Sequence, residues 1–192
     1  VFEIDDEGNP YWICPVVKYR IGLFGGKDIQ GVVIVDAQDG SSQYYDAADI
    51  PQWVDQAFSS DIAIAQIDYW GEYKRGFWNT IFGQKEMSHT SEGYNYLAQD
   101  DDIWLYTGLT SVGSDQSNIG FVLVNLRTKE ARYYPVSGAT EYSAMASAEG
   151  QVQHLNYRAT FPILLNVANQ PTYFLSLKDN AGLVKQFAFI NV

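Results

Sequence analysis

The chain comes close to repeating itself at a spacing of 89 residues. The run Gly31-Val-Val-Ile-Val-Asp36 leads through Asp39-Gly40 to Tyr44-Tyr45, and a helix signal follows at Pro51. The run Gly120-Phe-Val-Leu-Val-Asn125 leads through Thr128-Lys129 to Tyr133-Tyr134, and a helix signal follows over residues 137–140. The same register continues through Trp53 and Tyr142 and through Ala57 and Ala146. A duplicated unit of strand, turn, strand and helix constrains the architecture more firmly than any site motif here.

Around that repeat the pattern is strand-rich. Residues 1–4 and 11–19 read as strands, with Pro15 placing the second at an edge or a bulge. Residues 32–35 form a short buried strand, Asp39-Gly40 a hairpin turn, and residues 42–45 the returning strand. Asp49-Ile50-Pro51 opens a helix with Ile50, Trp53, Val54, Ala57 and Phe58 on one face. A second helical stretch covers residues 62–82, capped at Ser59-Ser60-Asp61 and broken at Gly71 and Gly76. The polar residues 84–93 form a loop between two halves, 1–83 and 84–192.

The second half opens with strands at 94–97 and 103–106. A polar turn at 113–118 stands in the place of the turn at 24–28. Residues 119–126 and 131–134 repeat the hairpin, and residues 137–149 supply the helix, with Tyr142, Met145 and Ala146 as its apolar face. Residues 152–161 alternate like a strand, 163–167 are ambiguous, and 172–177 with 183–190 close the chain as a hairpin. The matching places of Trp53 and Tyr142 assign both to the core. The expected fold is α+β: antiparallel sheets with helices packed on one face, in two hairpin–helix halves forming one compact unit.

An apolar fraction of 46% with 18% charged residues describes a folded globule, and 14 tyrosines favour sheet. The formal net charge of -11 repels polyanions, which argues against nucleic acid and against an anionic membrane surface. No run of about 18 apolar residues is present to span a bilayer. Cys14, the single cysteine, has no internal disulfide partner and reads as a small buried hydrophobe among apolar neighbours. The strand-like opening at Val1 suggests a piece of a longer chain, and any anchor or targeting segment would then lie outside it.

No constellation carries chemistry. His89 lies in a polar stretch and His154 on an expected strand, and neither comes with a nucleophile elbow. One cysteine and two distant histidines do not make a zinc site. Asp100-Asp101-Asp102 and Asp5-Asp6-Glu7 read as solvated turns, and calcium at Asp100, Asp101 and Asp102 is left open, since successive strand side chains diverge. The glycines of residues 22–27 lack the phosphate-loop spacing. The reading assigns no catalytic residue, no metal and no cofactor. The aromatic group Tyr69, Trp70, Tyr73, Phe77 and Trp78 lies at helical spacing. Its face either packs on a sheet or forms a groove for a peptide, a glycan or a partner protein.

Val32-Val-Ile-Val-Asp36 with Gly40 and Tyr44-Tyr45 resembles the PepSY-type domain. Val122-Leu-Val-Asn125 with Tyr133-Tyr134 resembles it less closely, with Asn125 in place of the aspartate and Lys129 in place of the turn glycine. The segments at residues 3–12 and 115–121 look like parts of large membrane-anchored proteins of Gram-positive bacteria. The resemblance implies two tandem PepSY-like copies outside the membrane, at the cell surface, within a larger anchored protein. It implies no active-site residues and a regulatory or inhibitory contact with a protein or a cell-wall component. The alternative function is a cell-wall glycan or peptide binding module that uses the aromatic surface.

Overall fold

The computed structural model describes residues 1–21, 25–83, 85–112 and 117–192. Phe24 of the first expected turn and residues 113–116 of its counterpart lie outside the described residues. Among the described residues the chain is predominantly β, with 45% strand against 18% helix, in three antiparallel sheets. This overturns the expected α+β fold of sheets with helices packed on one face. The helices are α1 (Ser60–Tyr73), α2 (Phe77–Phe82) and α3 (Glu141–Gln151), too few and too short to form a layer.

The first sheet has the order β1 (Phe2–Ile4), β2 (Pro10–Tyr19), β3 (Lys27–Asp36), β4 (Ser42–Asp46). Strand β1 pairs with β2 only as far as Trp12, so Pro15 sits where that side of β2 has no β1 partner, next to a bulge at Val16/Val17. A missing N–H is harmless there. The second sheet runs β5 (Ser88–Thr90), β7 (Asp102–Ser111), β8 (Asn118–Asn125), β9 (Ala131–Tyr134), with β6 (Asn95–Gln99) also on β7. Strand β5 falls inside the expected loop 84–93. Its three polar residues carry no apolar alternation, and only pairing with Leu109, Thr110 and Ser111 defines it. The third sheet places β12 (Gln170–Lys178) between β13 (Val184–Asn191) on one side and β10 (Arg158–Ala159) with β11 (Ile163–Val167) on the other.

Two compact units result. The first comprises Val1–Trp70, Tyr96–Leu105 and Leu123–Arg132, and the second Gly71–Asn95, Tyr106–Val122 and Tyr133–Val192. Segments from both sides of residue 84 enter each unit. Buried apolar residues of the first unit include Ile13, Val32, Val54, Phe58 and Leu105. In the second unit Ala148 of α3 packs with Leu175 and Leu177 of β12.

The repeat is real through the hairpin and stops there. Asp36 N–H donates to Ser41 C=O and Asn125 N–H to Glu130 C=O, both at 2.8 Å. Gly40 N–H donates to Asp36 C=O at 3.0 Å and Lys129 N–H to Asn125 C=O at 2.9 Å. The side chains of Asp36 and Asn125 accept from Gln38 N–H at 2.7 Å and Arg127 N–H at 2.9 Å. After β4, however, residues 51–58 are not helical. The Glu3 carboxylate accepts from the N–H groups of Asp55 (2.9 Å) and Gln56 (3.0 Å), and Phe58 N–H donates to Leu126 C=O (2.8 Å). The donors a helix needs for its ladder are already engaged. Val54, Ala57 and Phe58 are buried all the same, so the apolar spacing marked burial and not helix.

Other expectations shift for equally local reasons. Gly71 lies within α1 and does not break it; a Cβ there would stand 2.2 Å from the Ser88 carbonyl oxygen, so the glycine permits close packing. The buried residues of α3 are Glu141, Ala144 and Ala148, while Tyr142 is exposed, so its inward face is displaced from the expected one. Residues 152–161 contain a 3-10 turn (Gln153–Leu155) ended by Asn156 at φ 55, and only two residues of strand. Cys14 is exposed, because it alternates with the buried Ile13 along β2.

Positive φ at Lys129 (φ 67) takes the place of Gly40 (φ 76), and the lysine has a reason to be there. Its ammonium donates to the buried Asp28 carboxylate at 2.5 Å, alongside Arg20 Nε (2.6 Å) and Gln66 Nε2 (3.3 Å). Burial pushes the Asp28 carboxyl up, but Lys129 and Arg20 outweigh it and hold it well below the usual carboxylate range. Lys129→Gly relaxes the turn yet removes a cation from a buried anion, and it lowers unfolding free energy by about 2 kcal/mol in urea titrations at pH 7. The contribution of Asp28 is complete above about pH 4 and is lost as pH falls below that, so the deficit of the variant shrinks in acid. Ala168, at φ 52 in the two-residue turn joining β11 to β12, is strained, and Ala168→Gly raises stability by about 1 kcal/mol.

Candidate functional site

Two places in the second unit gather chemistry or exposed apolar surface. The first is a cleft of about 450 Å³ lined by His89, Ser91, Glu92, Thr110, Thr140 and Tyr142. Beneath it lies the fully buried Glu141, at the first turn of α3, where Thr140 caps the helix by accepting from Ser143 N–H. Ser91 Oγ donates to Glu141 Oε2 at 2.9 Å, and Tyr106 OH and Asn118 Nδ2 approach Oε1 at 3.4 Å. Asn118 also donates to Tyr173 OH (2.7 Å), which donates to Ala139 C=O (3.0 Å). No salt bridge reaches Glu141 among the described residues. Burial therefore raises its carboxyl above the ordinary range, and the bonds from its own N–H, Ser91 and Tyr106 lower it only in part. Burial likewise raises the Tyr106 and Tyr173 phenols, with the Glu141 charge adding to the effect.

This network can polarise the Ser91 hydroxyl, but His89 does not join it. His89 Nδ1 stands 3.6 Å from Glu72 Oε1, and no hydrogen bond links His89 to Ser91 among the described residues. His154 lies in the 3-10 turn, away from any strand. The aspartate run is also engaged. Asp100 and Asp101 form a turn with φ of 53 and 64, and Asp102 receives Arg127 at 2.6 and 2.7 Å and Asn125 at 2.8 Å. Among the described residues no three acidic, histidine or cysteine side chains gather to hold a metal.

The second place is α2. Tyr69, Trp70 and Tyr73 are exposed on α1, and Phe77 and Trp78 are exposed on α2. Tyr69 and Trp70 belong to the first unit, and Tyr73, Phe77 and Trp78 to the second. Within α2 the rings cluster: Phe77 meets Trp78 edge-on at 5.7 Å, and Trp78 stacks on Phe82 at 6.0 Å. Trp78 is 70% exposed and Phe82 79%, and Ile81 is exposed beside them. The two residues of α2 that are not exposed are its polar ones, Asn79 and Thr80. Asn79 Nδ2 donates to Lys85 C=O at 3.0 Å and its Oδ1 accepts from Lys85 N–H at 3.2 Å. Thr80 Oγ1 donates to Phe77 C=O at 2.6 Å.

The helix is thus amphipathic in the reverse of the usual sense. Leaving four large apolar side chains in water forgoes about 6 to 12 kcal/mol of burial. Sequence reasoning identified Phe77 and Trp78 and missed Ile81 and Phe82, although Phe82 stands four residues after Trp78 and so shares its face. It also missed Glu141 and Asn118, whose burial among strands leaves no periodic trace.

Glu141→Gln tests the buried network. A raised folded-state pKa makes stability fall as pH climbs from about 4.5 through that pKa. Urea midpoints of the parent chain and Glu141→Gln lie together near pH 4 and separate towards pH 8, with the glutamine variant more stable. Compared with protein-family models, with curated proteins and with solved structures, the chain matches none.

Proposed function

We propose that this chain is a non-enzymatic interaction domain that contacts a partner protein through the ring cluster of α2. The supporting observation is the reversed amphipathicity of that helix: Phe77, Trp78, Ile81 and Phe82 face solvent, and Asn79 and Thr80 are bonded within the segment. Contiguous exposed apolar surface on a folded domain marks a contact site, and Trp and Phe dominate contact energetics. A regulatory role in a larger membrane-anchored protein, outside the cytoplasm of a Gram-positive bacterium, remains part of this reading and rests on the resemblance drawn from the sequence. No helix of the described residues is long and apolar enough to cross a membrane.

The glycan alternative fits this surface less well. A sugar needs hydrogen-bonding side chains beside the rings, and the two polar side chains of α2 are engaged with Lys85 and with the helix carbonyl at Phe77.

A photo-crosslinking residue placed at position 78 tests the reading in cells that express the full chain. A discrete polypeptide adduct is expected at 78 and not at the exposed control Gln52. Equal background at both positions overturns the proposal. Trp78→Ala and Phe82→Ala abolish the contact made at neighbouring crosslinker positions while changing the unfolding free energy from urea titrations by less than about 0.5 kcal/mol, since both side chains are largely in water.

A further inference from the structure

Strand β13 is an edge. Among the described residues it pairs with β12 alone, along one side. Val192 N–H donates to Pro171 C=O at 3.1 Å, which fixes the phase of the pairing. Bonded and non-bonded pairs alternate along an antiparallel ladder. The backbone groups of Gln186, Ala188 and Ile190 therefore point at β12, and those of Phe187, Phe189 and Asn191 point at the open side. An open edge is a template for another extended backbone. The usual protections are sparse here: β13 has no proline, its one charged residue is Lys185, and the register shift lies at Leu177/Lys178, so residues 186–191 stay regular.

A groove of about 470 Å³ runs beside this edge, with Ser147 and Gln151 of α3 and the following Val152 facing Gln186, Ala188 and Ile190 of β13. On the opposite face of the strand, Phe187 and Phe189 are 63% and 62% exposed and lean on Phe174, with ring centroids 5.5 and 5.1 Å away. An incoming strand meets a helix-walled groove on one face and an aromatic ledge on the other. Charge narrows the choice of occupant. The groove is lined by uncharged residues, and a chain of net charge -11 repels an acidic segment.

We propose that the β13 edge and the α3 groove bind an extended, uncharged or basic peptide segment of a partner protein as an added β-strand. Backbone bonds to Phe187, Phe189 and Asn191 hold the segment. Its alternate side chains are apolar over the Phe187 and Phe189 ledge, and small or polar beside Ser147 and Gln151. The site is separate from α2 and does not rest on the reading given for it.

The test is selection from a random twelve-residue phage-displayed library on the full chain, followed by titration of the selected synthetic peptides. The expected peptides are uncharged or basic with apolar residues at alternate positions, and in 15N spectra they perturb β13 and α3. Phe187→Pro removes an outward N–H that β12 does not use, so the sheet tolerates it, and affinity falls at least tenfold. Ser147→Trp fills the groove from the exposed side of α3 and gives the same loss, which keeps the test intact should the proline variant fail to fold. Three results overturn the proposal: no enriched peptide, equal affinity for both variants, or sedimentation showing that the edge is occupied by a second copy of the chain.

Discussion

A carboxylate removed from water must be answered by charge, and in the first unit Asp28 makes that demand. Its partners arrive from Arg20, from Gln66 on α1 and from Lys129 in the turn after β8. Segments far apart in the chain thus converge on one anion, and removing any cation leaves a buried charge less well answered. The same demand explains a local irregularity. Lysine is a poor choice for a left-handed position, yet only a long cationic side chain at that point reaches Asp28.

Glu141 solves the opposite problem. No cation approaches it among the described residues, and hydroxyl and amide donors surround it instead. Burial therefore raises the carboxyl above its ordinary range. The position at the first turn of α3 offers a partial positive field, which is too weak to reverse the effect of burial. Ion pairing lowers the buried carboxyl of the first unit, Asp28, and burial raises that of the second, Glu141.

The sequence revealed strands and turns wherever local chemistry decided them. Asp39-Gly40 and Asn125 through Lys129 make equivalent turns, and both repeated hairpins form. It misled where a distant group intervened. Glu3 engages the N–H groups of residues 55 and 56, and the apolar spacing at Val54, Ala57 and Phe58 then looks helical without being so. Ala168-Asn169 closes a hairpin without the glycine that signals one, so β11 stayed ambiguous. The exposed rings of Phe77 and Trp78 were legible as an aromatic face, but periodicity does not say which side of a helix meets water. Phe187 and Phe189 sit in a stretch apolar on both phases, and only the sheet partner distinguishes ledge from core.

The pairing of Lys129 with Asp28 makes the doubled hairpin a one-way arrangement. Gly40 and Lys129 hold the same bend, but the lysine answers an acid that belongs to the other copy, and the position matching Asp28 in the later copy is Ser117. Exchanging the two bends would strand a cation at one end and an orphaned anion at the other. Bends alike in their backbone thus differ in what their side chains must answer, and each fits only its own place in the chain.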